Sequence, residues 1–244
     1  MNVRENMAAL SAAWHNCNKC PIGATRQGPD IFFGYGSLTA KYFFVGGGPS
    51  ETDETYSGIF SGDYGDFLVG AMEKLGISRG DSYFTYAVAC RPKSFIPATE
   101  QQDERIEGRV PSREELTACR PRLNEMIYQI DPRVIITLGE WATKTVVRTH
   151  LPKFTDVVGK QYKCTLHRAV PEDHAEGKVL GKGRYWDVSY PVFALPDPAS
   201  IFINTSTAKH GPSHVFHQTL FRANAYVNFL LHTEAETMNT KVNP

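Results

Sequence analysis

Two glycine-rich runs hold the residue types in this chain best suited to chemistry. The first, Gly46-Gly47-Gly48-Pro49-Ser50, leaves the apolar segment Tyr42 to Val45, which reads as a buried strand. A glycine-rich turn after a strand lets backbone N–H groups approach a ligand closely. The second, Gly58-Ile59-Phe60-Ser61-Gly62-Asp63-Tyr64-Gly65, sets a phenylalanine and an aspartate in a tight loop. An aromatic face beside a carboxylate suits a flat ring and the bond to be cut next to it. If the two loops share a pocket, the chain is an enzyme acting on a base or another planar group.

The cysteines form a second constellation. Cys17 and Cys20 make a Cys-x-x-Cys pair, Cys90 ends the strand-like run Ala-Val-Ala-Cys, and Cys119 lies in Thr-Ala-Cys-Arg-Pro. Four thiolates in a reducing compartment suit zinc or an iron–sulfur cluster. With only one close pair, the scattered ligands fit a four-iron cluster better than a zinc ribbon. Cys90 and Cys119 also read as ordinary buried thiols. Cys164 is isolated and reads as a bystander.

The elements that must position these groups alternate. Val3 to His15 is expected to be a short helix, Tyr42 to Val45 a strand, Asp66 to Leu75 a helix ending at Gly76, and Tyr83 to Ala89 a strand. Lys93 to Pro111 is polar with prolines and reads as a surface loop. Ser112 caps a helix to about Ile130, with Glu115 completing a capping box. Arg133 to Leu138 is a buried strand, and Gly139 opens a helix to about His150. Short strands are expected within Leu151 to Tyr190, then a strand at Pro191 to Leu195 and a long helix from Ser213 to Leu231. This order predicts an α/β domain with a largely parallel sheet. Ligands of such sheets bind at the carboxyl ends of the strands, so the loops after Val45, Ala89, Leu138 and Leu195 should face one site. Residues 1–232 are read as a single domain and 233–244 as a disordered tail.

Composition sets bounds. The 244 residues can build a full core. The 26 basic and 26 acidic side chains balance, so no overall basic field advertises nucleic acid, although a local patch would serve. No apolar run reaches membrane-spanning length and the start lacks a signal-peptide pattern, which points to a cytoplasmic protein, expected to be a monomer with no membrane partner.

The ordered stretches FGYGSLTAKYFFVGGGP, GIFSGDYGDFL, YFTYAVACRP, PSREELTACRP and DPRVIITLG, after Cys17-x-x-Cys20 and before a weaker LPDPA, resemble the uracil-DNA glycosylase superfamily, its iron–sulfur families four and five. Gly62-Asp63 followed by Gly65 leans toward family five. The resemblance implies a three-layer α/β/α fold with helices on both faces of a mainly parallel four-stranded sheet, a 4Fe-4S cluster on Cys17, Cys20, Cys90 and Cys119, DNA as partner, and base flipping. It implies Asp63 as catalytic carboxylate, Phe60 stacked on the flipped base, and Gly46 to Ser50 lining the base pocket. Lys209, His210, Ser213 and His214, ahead of the last helix, are expected to contact phosphates.

Two positions depart from the family pattern. Tyr86 stands where family four carries a uracil-reading asparagine, and Asp197 stands where the third motif presents a histidine that stabilises departing uracil. A carboxylate there would repel a uracil anion. Beside a cytosine-type base it could accept a bond from the exocyclic amine, hold a proton on the ring, or contact a hydroxyl of a sugar-decorated base. The expectation is a glycosylase for a modified base, such as hydroxymethylated or glucosylated cytosine of phage DNA, with a defence role. The alternatives are a broad uracil-DNA glycosylase of repair, a DNA-binding relative without catalysis, or an unrelated zinc-stabilised nucleotide-binding domain.

Overall fold

The computed structural model describes residues 2–26, 31–100, 102–147, 153–169, 178–180, 183–203 and 211–242. Its elements in chain order are α1 (Val3–His15), α2 (Pro21–Thr25), β1 (Tyr35–Gly36), β2 (Tyr42–Gly46), α3 (Glu51–Tyr56), α4 (Asp63–Glu73), β3 (Ser82–Tyr86), β4 (Lys93–Ile96), β5 (Arg105–Gly108), α5 (Arg113–Ile130), β6 (Val134–Leu138), α6 (Glu140–Val147), α7 (Phe154–Val157), β7 (Gln161–Ala169), β8 (Lys178–Leu180), β9 (Gly183–Leu195), α8 (Pro198–Ile203) and α9 (Pro212–Val242).

The centre of the main sheet is four parallel strands in the order β3-β2-β6-β9. Antiparallel strands extend it: β1 beyond β3, and β7 with β8 along β9. The sheet is therefore mixed, with the expected parallel core. Both faces are covered, so β2 and β6 are buried at every position instead of alternating between buried and exposed. Side chains still alternate between faces. Phe43, Val45 and Ile135 pack with Leu123 and Met126 of α5 on one side. Tyr42, Phe44, Val134 and Ile136 pack with Leu68 of α4 and Phe216 and Leu220 of α9 on the other. The chain steps from β2 outward to β3, then returns to add β6 on the opposite side of β2. That reversal opens a crevice at the carboxyl ends of β2 and β6.

Several expectations need correction. The segment 93–111 is not all loop: β4 and β5 form an antiparallel pair with Phe95 opposite Ile106. Both side chains are exposed, so no buried face betrays the pair in the sequence. The single short strand at 191–195 is the end of the 13-residue β9, drawn out by pairing with β7. The last helix continues to Val242, past Leu231, so 233–242 of the segment read as a disordered tail is helical. The helix read as starting at Asp66 begins at Asp63, with Gly62 as its N-cap at φ 72°. Among the described residues no helix is long and apolar enough to cross a membrane.

Candidate active site

The crevice holds a cavity of about 190 Å³. It is lined by Gly46, Gly47, Gly48 and Ser50 after β2, Asp53 of α3, Phe60 and Ser61, Tyr64 of α4, Tyr86 ending β3, Leu138 ending β6, and Asp197 to Ala199 after β9. The structure thus brings together Gly46, Gly47, Gly48, Ser50, Phe60, Tyr86 and Asp197 from the sequence reading. Pro49, Asp63, Ser213 and His214 are not among the lining residues. Lys209 and His210 lie outside the described residues. Asp63 is exposed, first residue of α4 and neighbour of the lining Tyr64. His214 is exposed on the first turn of α9, and the carbonyl of Ser213 accepts from His217 Nδ1 at 2.8 Å.

The residue that organises the pocket, Asp53, has no place in the sequence reading. It is 2% exposed. Ser50 and Asp53 form the capping box of α3, each side chain receiving the other's backbone N–H. Asp53 Oδ2 accepts from Ser50 N (2.7 Å), Ser50 Oγ (2.8 Å) and Tyr86 Oη (2.9 Å), and Oδ1 accepts from Ser61 N (2.8 Å). Tyr86 Oη in turn accepts from Phe60 N at 2.8 Å. Burial, then the Asp53 charge, push the Tyr86 hydroxyl far above its ordinary value, so it stays protonated. Behind it, the fully buried Arg122 holds the carbonyls of Phe33 and Tyr86 and the Thr85 hydroxyl, fixing the end of β3.

These bonds hold a loop that would not hold itself. Ser57, Phe60 and Gly62 all have positive φ, at 49°, 52° and 72°. For Ser57 and Phe60 that conformation costs on the order of 1 kcal/mol or more each. The Phe60 ring lies 4.7 Å from the Tyr86 ring, centroid to centroid, and both rings rest on Gly46. A Cβ there would come within 2.9 Å of Phe60 Cε1 and Cζ, so only glycine admits this contact. The start of α4 is equally close, since a Cβ on Gly65 would stand 1.6 Å from the Phe60 carbonyl oxygen.

Asp197 faces this assembly from the end of β9. Its Oδ1 accepts from Ala199 N at 2.9 Å, the turn-capping bond of an aspartate before Pro-Ala. By area the residue is exposed, yet protein atoms crowd its carboxyl at the cavity mouth. That crowding raises its pKa, and the Ala199 N–H only partly offsets it. The Asp197 carboxyl therefore keeps its proton to higher pH than a solvent-exposed aspartate does.

The cysteines sit away from this cavity, on the side of the sheet that carries α1 and α5. Cys20 is the N-cap of α2, Cys90 follows β3, and Cys119 lies in α5. Burial raises the Cys20 thiol, and the charges of Cys119 and Cys17 raise it further. Burial pushes Cys90 up to about 11 against the Arg26 guanidinium, with Cys119 and Cys20 adding to it. Cys20 is thus within electrostatic reach of Cys17, Cys90 and Cys119, and Cys90 of Cys119. Arg26 Nη1 points at Cys90 Sγ (3.8 Å) and Ala89 N at Cys119 Sγ (3.3 Å). Among the described residues no three His, Cys, Asp or Glu side chains are grouped to hold a single metal ion. Cys164 is buried on β7 opposite Tyr190, in the core. Arg91, the residue after Cys90, is engaged with Glu51 and Glu54 of α3.

The family model described as "Uracil DNA glycosylase superfamily" matches residues 33–219, spanning every element that lines the cavity. The chain belongs to the uracil-DNA glycosylase superfamily. Membership makes it an enzyme of the DNA glycosylase class. It is similar to the type-4 uracil-DNA glycosylase of Pyrobaculum aerophilum, 32% identical over 151 residues covering 61% of this chain and 69% of the relative. It is also similar to the type-4 enzymes of Thermotoga maritima, 32% identical over 73% of this chain and 80% of that one, and of Saccharolobus solfataricus, 27% identical over 84% and 81%. All three relatives are named type 4, and none is named family five.

Proposed function

We propose that this glycosylase takes DNA as substrate, flips a cytosine-type modified base into the cavity and hydrolyses its N-glycosidic bond. Water adds at C1′, the bond to the base nitrogen breaks, and an abasic site remains. The observation that carries the choice of base is the set of acceptors the cavity presents. Asp197 contributes a carboxyl at the mouth. Tyr86 spends its one hydroxyl proton on Asp53 and has none for the base. A uracil edge needs donors at its carbonyls, whereas a cytosine-type edge offers an exocyclic amine that a carboxyl can accept. With its raised pKa, Asp197 also suits holding a proton on the ring as the base departs. Phe60 supplies the stacking face for the flipped ring. Asp63, exposed as the first residue of α4 and next to the lining Tyr64, would supply the carboxylate that offsets positive charge on the sugar.

Cys17, Cys20, Cys90 and Cys119 would hold a 4Fe-4S cluster. The reach of Cys20 to the other three thiols and the two donors aimed at sulfur support that fit. When bound, it would supply a covalent tie between the N-terminal segment, the end of β3 and α5, and no step of base release passes through it.

The test is a substrate panel: duplexes carrying one uracil, cytosine, hydroxymethylcytosine or glucosylated hydroxymethylcytosine, scored for abasic sites. Release of a modified cytosine is expected. Rapid release of uracil with the modified cytosines untouched would overturn the choice of base.

A further inference from the structure

We propose that Tyr86 and Asp53 are positioning residues that set base discrimination by clamping Phe60 in its left-handed conformation on Gly46. The proposal rests on the base-pocket reading above, but on neither the identity of the base nor Asp197. The clamp has two jaws. Tyr86 Oη takes the Phe60 N–H at 2.8 Å, and Asp53 Oδ1 takes the next N–H, of Ser61, at 2.8 Å. The jaws are joined, because Tyr86 Oη donates to Asp53 Oδ2 at 2.9 Å. Asp53 is itself fixed by both donors of Ser50, so the loop's position is transmitted from the capping box of α3.

The loop has somewhere to go if the clamp opens. A groove of about 660 Å³ lies on its far side, lined by Phe33, Tyr56, Ile59 and Gly62 and sharing Phe60 and Ser61 with the base cavity. The Phe60 backbone is therefore a wall between two spaces, and it is left-handed. A non-glycine residue stays in that conformation only where its surroundings over-determine it. Without the two N–H acceptors, Phe60 relaxes to negative φ, its ring leaves Gly46, and the wall retreats into the groove. The cavity would then accept rings that the closed form excludes.

The experiment is a double-mutant cycle on base discrimination. Single-turnover kcat/KM is measured on the base that the parent prefers and on a second pyrimidine, for the parent, Tyr86→Phe, Phe60→Ala and the double variant. Tyr86→Phe keeps the ring on Gly46 and removes only the hydroxyl. Its discrimination ratio is expected to fall about tenfold, with affinity for duplex carrying an abasic analogue unchanged. In the Phe60→Ala background the same change should move the ratio less than about twofold, because a positioning residue acts only through what it positions. If Tyr86→Phe fails to fold, Asp53→Asn replaces it in the same cycle. Equal losses in both backgrounds, or no loss in either, would overturn the proposal. A parent that prefers uracil would refute the choice of base while leaving this cycle able to decide the clamp.

Discussion

The contact between Gly65 and the Phe60 carbonyl gives a prediction with an internal control. Gly70 lies in the same helix, and a Cβ there would meet nothing within 4 Å. Glycine is about 1 kcal/mol poorer than alanine inside a helix, so Gly70→Ala should stabilise by about that much. In a protein of this size 1 kcal/mol moves Tm by about 2–4 °C. Gly65→Ala gains the same helix propensity but drives a methyl to 1.6 Å from a backbone oxygen, which no rotamer change relieves. Overpacking of that kind costs about 3 kcal/mol. The net loss is about 2 kcal/mol, or about 4–8 °C. Thermal unfolding followed by far-UV circular dichroism should therefore separate the two variants in opposite directions. Base release should separate them further, since the carbonyl that must move belongs to the stacking residue. Gly65→Ala unfolding at the same temperature as Gly70→Ala with unchanged base release would refute the idea that α4 seats the Phe60 loop.

Other outcomes can be stated more briefly. Asp197→Ala and Asp63→Asn should each lower single-turnover base release by on the order of 10²-fold or more, the usual scale for a proton-transfer or charge-stabilising group, as read by counting abasic sites. The Arg109–Glu115 pair should make stability acid-sensitive. Burial alone would raise the Glu115 carboxyl, but the bidentate Arg109 guanidinium and the Ser112 N–H outweigh it and hold it below its ordinary value of 4.5. A lowered carboxyl contributes stability above that value and loses it as pH falls through the folded one. Glu115→Gln should thus lose about 2 kcal/mol at neutral pH and show a flatter decline below about pH 4 in urea melts. Serine at Cys17, Cys20, Cys90 or Cys119 should remove bound iron and acid-labile sulfide from protein purified without oxygen, and Cys164→Ser should leave both in place.

Much of the fold was legible because its signals are local. The capping box Ser112/Glu115 and the apolar runs at β2 and β6 declare themselves within a few residues. The crevice followed, since loops after parallel strands converge. What stayed hidden depends on partners distant in sequence or on faces with no core behind them. The β4–β5 pair buries nothing, and the last turns of α9 carry no apolar stripe to mark them. Asp63 sits between glycines and read as loop, although an acidic residue just after Gly62 also fits a first helical turn. Asp53 left a faint signal, the Ser50-x-x-Asp53 spacing of a helix start. Its hold on Ser61 N–H and on Tyr86, 33 positions away, could not be read from a string of residues.

The Tyr86–Asp53 bond also constrains how such a pocket can change by descent. Family four carries asparagine where Tyr86 stands. Asparagine at 86 alone would strip Asp53 of its buried hydroxyl donor and leave Phe60 N–H without that acceptor, while also emptying the space beside Gly46. Position 53 would have to change with it, and so would whatever holds Phe60. An intermediate that keeps Asp53 but lacks the Tyr86 hydroxyl is therefore expected to release bases poorly, because the Phe60 N–H and the Asp53 carboxylate both lose a partner. Libraries that replace Tyr86 should therefore recover base release through paired changes at 53 and 86, or by way of the loop between Ser57 and Gly62, before any single substitution does so.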